Sequence, residues 1–169
     1  MIVGLRMLST VIRGALAQPI DVLDESRISL RVLPNDVDYN LHLNNGRFLT
    51  IMDLGRTDWG MRARAWPRWM KLGWKPLAGS VTIRFDRSIE AMAGYELRSR
   101  IVCWDHKWTY FQQEFWNGEQ RAAVAYVKVV LKHGRRTVPP ARAMAAMGLT
   151  DASPTMPAGV RHWLDSDAA

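Results

Sequence analysis

Across residues 81–131 apolar side chains return at every second position, interrupted only at turn-forming residues, and this pattern restricts the fold more than any other feature. Val81, Ile83 and Phe85 alternate with Thr82, Arg84 and Asp86, and the same period runs through 95–104, 108–116 and 122–131. A period of two belongs to strands with one buried face. The breaks fall at Ala93-Gly94, Asp105-His106-Lys107 and Asn117-Gly118, the last a two-residue hairpin signal. Four long antiparallel strands in a meander are predicted.

Upstream, Ile28, Leu30 and Val32 alternate with Arg27, Ser29 and Arg31 as one further strand, ended by Pro34 and Asn35. Asn44-Asn45-Gly46 then offers side-chain caps to an apolar stripe of Phe48, Ile51, Met52, Gly55 and Trp59. That spacing predicts a helix to about Arg64, stopping before Pro67. Pro139-Pro140 opens a short helix to about Met147, and the tail with Pro154, Pro157 and Gly159 is expected to run extended over the surface. One long helix followed by enough strands to curl around it reads as an α+β fold, a curved antiparallel sheet wrapped on a central helix. At 169 residues the chain is expected to hold one core domain, 23–148, between an N-terminal amphipathic helix, 1–22, and a C-terminal extension, 149–169.

The first segment places Ile2, Leu5, Leu8, Ile12 and Leu16 at helical spacing, with Arg6 and Arg13 as its charges. The arginines interrupt the apolar run too early for a signal peptide, although Ala15-Leu16-Ala17 imitates a cleavage site. Two readings stay open: a helix docked on its own domain or a partner subunit, and peripheral contact with a membrane through residues 1–20. No stretch is long and apolar enough to predict a spanning helix.

Charge and composition bound the function. Lys and Arg number 23 against 16 Asp and Glu, a formal charge of +7, which invites a polyanionic partner without choosing among nucleic acid, anionic membrane, coenzyme A and an acidic carrier protein. Between Arg62 and Lys75, basic residues alternate with Trp66, Trp69 and Trp74, a mixture that suits single-stranded nucleic acid. A connecting loop whose tryptophans cover the end of the core explains it without a ligand, and no nucleic-acid module accompanies it. The single cysteine, Cys103, excludes an intrachain disulfide and points to a reducing, cytoplasmic setting. His42, His106, His133 and His162 show no paired ligand spacing, so no metal or other cofactor is expected.

The densest polar run, residues 36–48, carries Asp36, Asp38, Asn40, His42, Asn44 and Asn45, each separated from the next by one residue except the final pair. One reading is an Asx-turn with a helix cap. The other is chemical: free N–H groups of a helix's first turn can stabilise an oxyanion, while a carboxylate just upstream faces the same carbonyl as base or nucleophile. An acyl-transfer or acyl-hydrolysis site can be built this way without serine or cysteine.

The string D-x-D-x-N-x-H-x-N-N-x-x-F resembles the signature of hotdog-fold thioesterases of the 4-hydroxybenzoyl-CoA thioesterase-like group, and is similar to the D-x-N-x-H-x-N-N run of plant acyl-ACP thioesterases. As element order the resemblance extends over residues 27–140. It implies a hotdog fold and hydrolysis of an acyl-CoA or acyl-carrier-protein thioester, as in fatty acid metabolism. By the same resemblance Asp38 matches the general base or nucleophile, Asn40 and His42 the residues that orient acid, water or thioester, and the Asn45 backbone N–H the oxyanion donor. Asn44 and Phe48, inside the same run, are expected substrate contacts, and Lys128, Lys132, Arg135 and Arg136 are expected to meet the phosphates of the carrier. Plant enzymes add a glutamate or cysteine on a later strand; residues 76–85 hold neither, so Asp38 is expected to act largely alone. Hotdog enoyl hydratases use D-x-N-P-x-H, one residue longer and with a proline absent here, which argues against hydration. The resemblance further implies a homodimer or dimer of dimers. The competing reading is a non-catalytic acyl-thioester-binding or membrane-associated scaffold with the same fold.

Overall fold

In a computed structural model describing residues 2–150 and 152–167, the chain forms one antiparallel sheet curled around a long helix. Positions 1, 151, 168 and 169 of the segments predicted above lie outside the described residues, as does the Ile2 side chain. Helix α1 (Ile2–Leu16) precedes strand β1 (Ser26–Arg31), a single 3-10 turn at Pro34–Asp36 and the central helix α2 (Asn45–Arg62). A short helix α3 (Ala65–Lys71) leads into β2 (Lys75–Phe85), β3 (Gly94–Trp104), β4 (Thr109–Asn117), β5 (Gln120–His133) and β6 (Arg136–Val138). Helices α4 (Pro140–Ala145) and α5 (Ala158–Asp167) end the described chain.

The core lies between α2 and the concave face of the sheet. Phe48, Ile51, Met52, Leu54 and Trp59 of α2 meet Leu97, Ile101, Phe111 and Phe115 of β3 and β4, all buried. Gly55 lets the helix approach this closely: a Cβ there would stand 2.3 Å from Ser99 Oγ and 2.7 Å from a Leu97 methyl group. The opposite side of α2 is covered by α1, so α2 is buried on two faces, as its thin amphipathic pattern suggests.

The fold departs from the sequence-based expectations in four places. The strands are not a four-strand meander: their order is β1-β3-β4-β5-β2, and β2 pairs with β5 on the far edge, Phe85 opposite Ala123 and Lys75 opposite Lys132. Alternation shows that strands exist but carries no information on which neighbour each takes. The connector before β2 is the helix α3 rather than a loop; Arg64 turns the chain with a left-handed φ of 57°, and Pro67 sits in the first turn, where it removes no helical hydrogen bond. The β4–β5 turn is Gly118-Glu119, one residue later than the Asn-Gly signal, because Asn117 still pairs with Gln120 and Gly118 alone takes positive φ. The tail is not extended: α5 lays Val160 and Trp163 on Cys103 and Tyr110 on the convex face, forming a second small core.

Candidate active site

The polar run folds into a loop clamped onto the start of α2. Asp38 and His42 close a turn, with Asp38 N donating to His42 O at 2.9 Å, and Leu41 between them takes φ 60°, a costly conformation for a bulky residue. From outside, Leu43 N donates to Ile89 O at 2.7 Å and Ala91 N to Leu41 O at 2.8 Å, so the β2–β3 connection holds the loop in place. Beneath it Asp36 is buried, accepting from Leu33 N at 3.1 Å and pairing with Arg6 of α1 at 2.7 Å. The two acids of the run therefore do different work: Asp36 ties α1 to the loop, and Asp38 faces outward.

Asp38 is half-buried. Its Oδ1 accepts from Asn40 N at 2.9 Å and His42 N at 3.3 Å, while Oδ2 has no partner among the described residues. Asn44 caps α2, its Oδ1 accepting from Gly46 N at 2.9 Å, and the Asn44 carbonyl accepts from Arg47 N at 2.8 Å. The Asn45 N–H is left without an acceptor among the described residues, at the positive end of an 18-residue helix.

Asp38, His42, Asn45 and Phe48 line one open cavity of about 300 Å³ with Leu43 and with residues 85–88. Phe48 meets Phe85 edge to face at 5.0 Å between ring centres, forming its apolar wall. Asn40 and Asn44 do not line it: both side chains are exposed, and Asn40 contributes its backbone N–H and Asn44 its cap. What the sequence reading missed is a second carboxylate. Asp86, one residue past the 76–85 stretch, lines the same cavity beside Arg87 and Ser88. It is bonded by Arg84 at 2.8 Å and Arg121 at 3.2 Å, and the Arg84 bond, supported by Arg121, holds its carboxyl below the usual range. Its place at the end of an apolar alternation, next to Arg87 and Ser88, was the available signal.

The basic cluster expected at the carrier does not join this cavity within one chain. Lys132 lies opposite Lys75, whereas the cavity lies at the Phe85–Ala123 end of the same strand pair, nine residues or about 30 Å away. Lys128 is instead bonded to Asp167 of α5 at 2.8 Å, and Lys132 donates to Thr137 at 2.8 Å. Arg135 and Arg136 are exposed at the β5–β6 turn, at that same distal end.

Known proteins supply the context for this arrangement. The chain is 39% identical over 112 residues to Protein THEM6 of Danio rerio, covering 66% of this chain and 55% of that protein. To Thioesterase lcsJ of Purpureocillium lilacinum it is 30% identical over 146 residues, covering 72% and 47%. It thus spans about half the length of the curated relatives it matches. Its fold is also that of the crystal structure of a 1,4-dihydroxy-2-naphthoyl-CoA thioesterase from Synechocystis, with a TM-score of 0.63 at 14% identity over 73% of this chain and 95% of that one. The hotdog architecture is therefore the one observed. The model of the thioesterase-like superfamily matches residues 32–164, from the end of β1 into α5, and the chain belongs to that superfamily.

Proposed function

We propose that this protein hydrolyses acyl thioesters of coenzyme A or of an acyl carrier protein, using Asp38 and the N-terminus of α2. The observation that carries this reading is the pairing, in one cavity, of a carboxylate with one oxygen fixed and the other unengaged and a free helix-start N–H. Asp38 takes a proton from water as the water oxygen attacks the thioester carbon; the carbonyl oxygen becomes an oxyanion and accepts from Asn45 N–H. Collapse breaks the carbon–sulfur bond, the thiolate takes up the proton, and the free acid leaves. Direct attack by Asp38 to form an anhydride is the alternative route, after which water releases the acid. His42 orients the water or thioester, Phe48 and Phe85 pack against the acyl group, and Asp86 and Arg87 face the same chamber. Names of relatives and the CoA ester in the name of the structural neighbour support the substrate class.

The same reading takes the working unit to be a homodimer. β2 pairs with β5 along one side only, leaving an 11-residue strand edge with Leu77, Val81 and Phe85 exposed, a pattern that invites a second copy. A cytoplasmic protein with peripheral membrane contact is favoured by a separate observation. α1 docks through Arg6, Thr10 and Gly14 and turns Leu5, Leu8, Ile12 and Leu16 outward, with no acidic residue before Asp21. No described helix is long and apolar enough to cross a membrane.

Thiol release from a panel of acyl-CoA and acyl-carrier-protein thioesters tests the hydrolase reading. Turnover of at least one ester class supports it, and binding without turnover across the panel supports the non-catalytic scaffold instead.

A further inference from the structure

Basic residues that the candidate active site does not use gather at the distal end of the molecule. Lys75 opens β2 opposite Lys132 of β5, and Arg136 of β6 stands opposite His133, with Arg135 in the turn between them. A Cβ at Gly73 would stand 3.4 Å from the His133 ring, which brings the end of α3, with Arg68 and Lys71, against that turn. The start and end of α4 close the group. Arg68 Nη1 donates to Ala146 O at 2.8 Å, and the Arg142 guanidinium lies 5.4 Å from the centre of the Trp74 ring. These contacts join seven Lys and Arg residues into one surface, all exposed except the half-buried Lys132.

No carboxylate answers them. The sequence holds no Asp or Glu between Asp58 and Asp86, nor between Glu119 and Asp151. None of the seven forms an ion pair among the described residues. Asp105, at the neighbouring β3–β4 turn, is committed to the N–H groups of Lys107 and Trp108 and to the Tyr110 hydroxyl. Asp21, Asp24 and Glu25 lead into β1, at the opposite edge of the sheet from β2. Of the chain's 23 Lys and Arg, the other 16 match its 16 Asp and Glu, so this one end carries the whole formal excess of +7. Like charge held together in this way repels itself and draws a polyanion.

The apolar residues around the patch select a lipid surface. Met70 and Leu72, on either side of Lys71, are 70% and 43% exposed, and Leu16 at the end of α1 is 82% exposed. A groove sets Ala15 and Ala17, which flank Leu16, against Arg64 and Pro67 at the start of α3, so the outward stripe of α1 runs up to the basic end. Single-stranded nucleic acid needs open aromatic faces, and Trp69 and Trp74 are buried. We propose that this end docks on an anionic bilayer, its cations among the charged headgroups and Met70, Leu72 and Leu16 at the acyl boundary. The proposal extends the membrane reading of α1 to a second surface and names the charge of the lipid. A few apolar side chains hold a protein to a membrane only marginally, and stable attachment takes a second, electrostatic signal. Each Lys or Arg brought to an anionic leaflet strengthens binding about fivefold.

Flotation of the whole chain with vesicles of phosphatidylcholine alone, or of phosphatidylcholine with phosphatidylserine, tests the docking without any turnover. Binding is expected to the anionic vesicles only, and to be lost as salt rises from about 0.1 M to about 1 M, where the Debye length falls from about 10 Å to about 3 Å. Arg135→Glu combined with Arg136→Glu is expected to weaken binding by about tenfold or more, and Met70→Ser severalfold, in proteins that melt no lower than wild type. Lys71→Glu serves in place of the double variant if that one melts lower. Leu5→Ser combined with Leu8→Ser, on the far half of the α1 stripe, separates the two surfaces. Binding that this pair abolishes, but that charge reversal and Met70→Ser leave intact, would overturn the basic end and keep the α1 reading. The reverse pattern would keep the basic end and remove α1. Equal binding to neutral vesicles would overturn the proposal, as would binding of a single-stranded oligonucleotide or an acyl carrier protein through the same cations with no vesicle bound.

Discussion

Asp36 and Asp38 stand two residues apart in one motif, and only burial and partners separate the anchor from the acid that lines the cavity. Sequence spacing made both legible as candidates; the Arg6 pair that claims Asp36 joins residues thirty positions apart and leaves no local trace. Asp86 escaped notice for a related reason, since the β2–β3 connection that carries it to Asp38 is a feature of topology. A third acid, Asp58, is buried between α1, α2 and β1, where it accepts a hydrogen bond from Ser26 and lies 3.8 Å from Arg62. Burial pushes its pKa up, more than the Ser26 bond and the Arg62 and Arg13 charges pull it down. A carboxyl with a raised folded-state pKa contributes stability in its protonated form and loses it as pH rises through that pKa. Asp58→Asn is therefore expected to melt close to wild type at about pH 4 and above it at about pH 7, the gap widening as pH rises. Melting curves of the two proteins across that interval check this, and a gap that narrows with rising pH would show that the Arg62 and Arg13 charges outweigh burial.

At the level of elements, the periodic segments were legible and the short capped ones were not. α2 begins and ends within two residues of its predicted limits, because Asn44 supplies the cap and the Phe48–Trp59 stripe spans the core. α3 and α5 were hidden by proline: Pro67 and Pro157 read as breakers but stand at helix starts, where Pro157 O accepts from Val160 and Arg161 N at 3.1 Å each. The i, i+3 spacing of Trp66 with Trp69, and of Val160 with Trp163, was the helical signal beneath them. Gly55 shows how one position governs the meeting of two elements. A β-branched side chain there collides with Ser99, Leu97 and Gln113 at once, so Gly55→Val is expected to destabilise the fold by about 1–3 kcal/mol or more, through overpacking rather than lost helix propensity. Gly60→Ala offers the contrast of a clash with one partly exposed ring, Trp66. Urea midpoints of Gly55→Val at or above wild type would show that α2 rides off the sheet at no cost.

For the whole molecule, the crossing of β2 to the far edge decides what a second copy would meet. The sheet ends on β2, and a lysine at Val81 would place charge on that exposed edge. Light scattering at micromolar concentration is expected to give twice the 19.3 kDa chain mass, and Val81→Lys to shift the population toward the single chain. A wild-type protein that scatters as a single chain would remove the shared-edge assembly. The hydrolase reading itself stands or falls on Asp38, whose replacement by asparagine keeps its size and its Oδ1 contacts with Asn40 and His42 while removing the basic carboxylate. The decisive measurement is the turnover number for thiol release from an acyl-CoA that the wild type hydrolyses, compared with Asp38→Asn of matched melting temperature. A fall of roughly 100- to 10,000-fold is expected for loss of the base, and wild-type turnover in the folded variant would contradict the assignment.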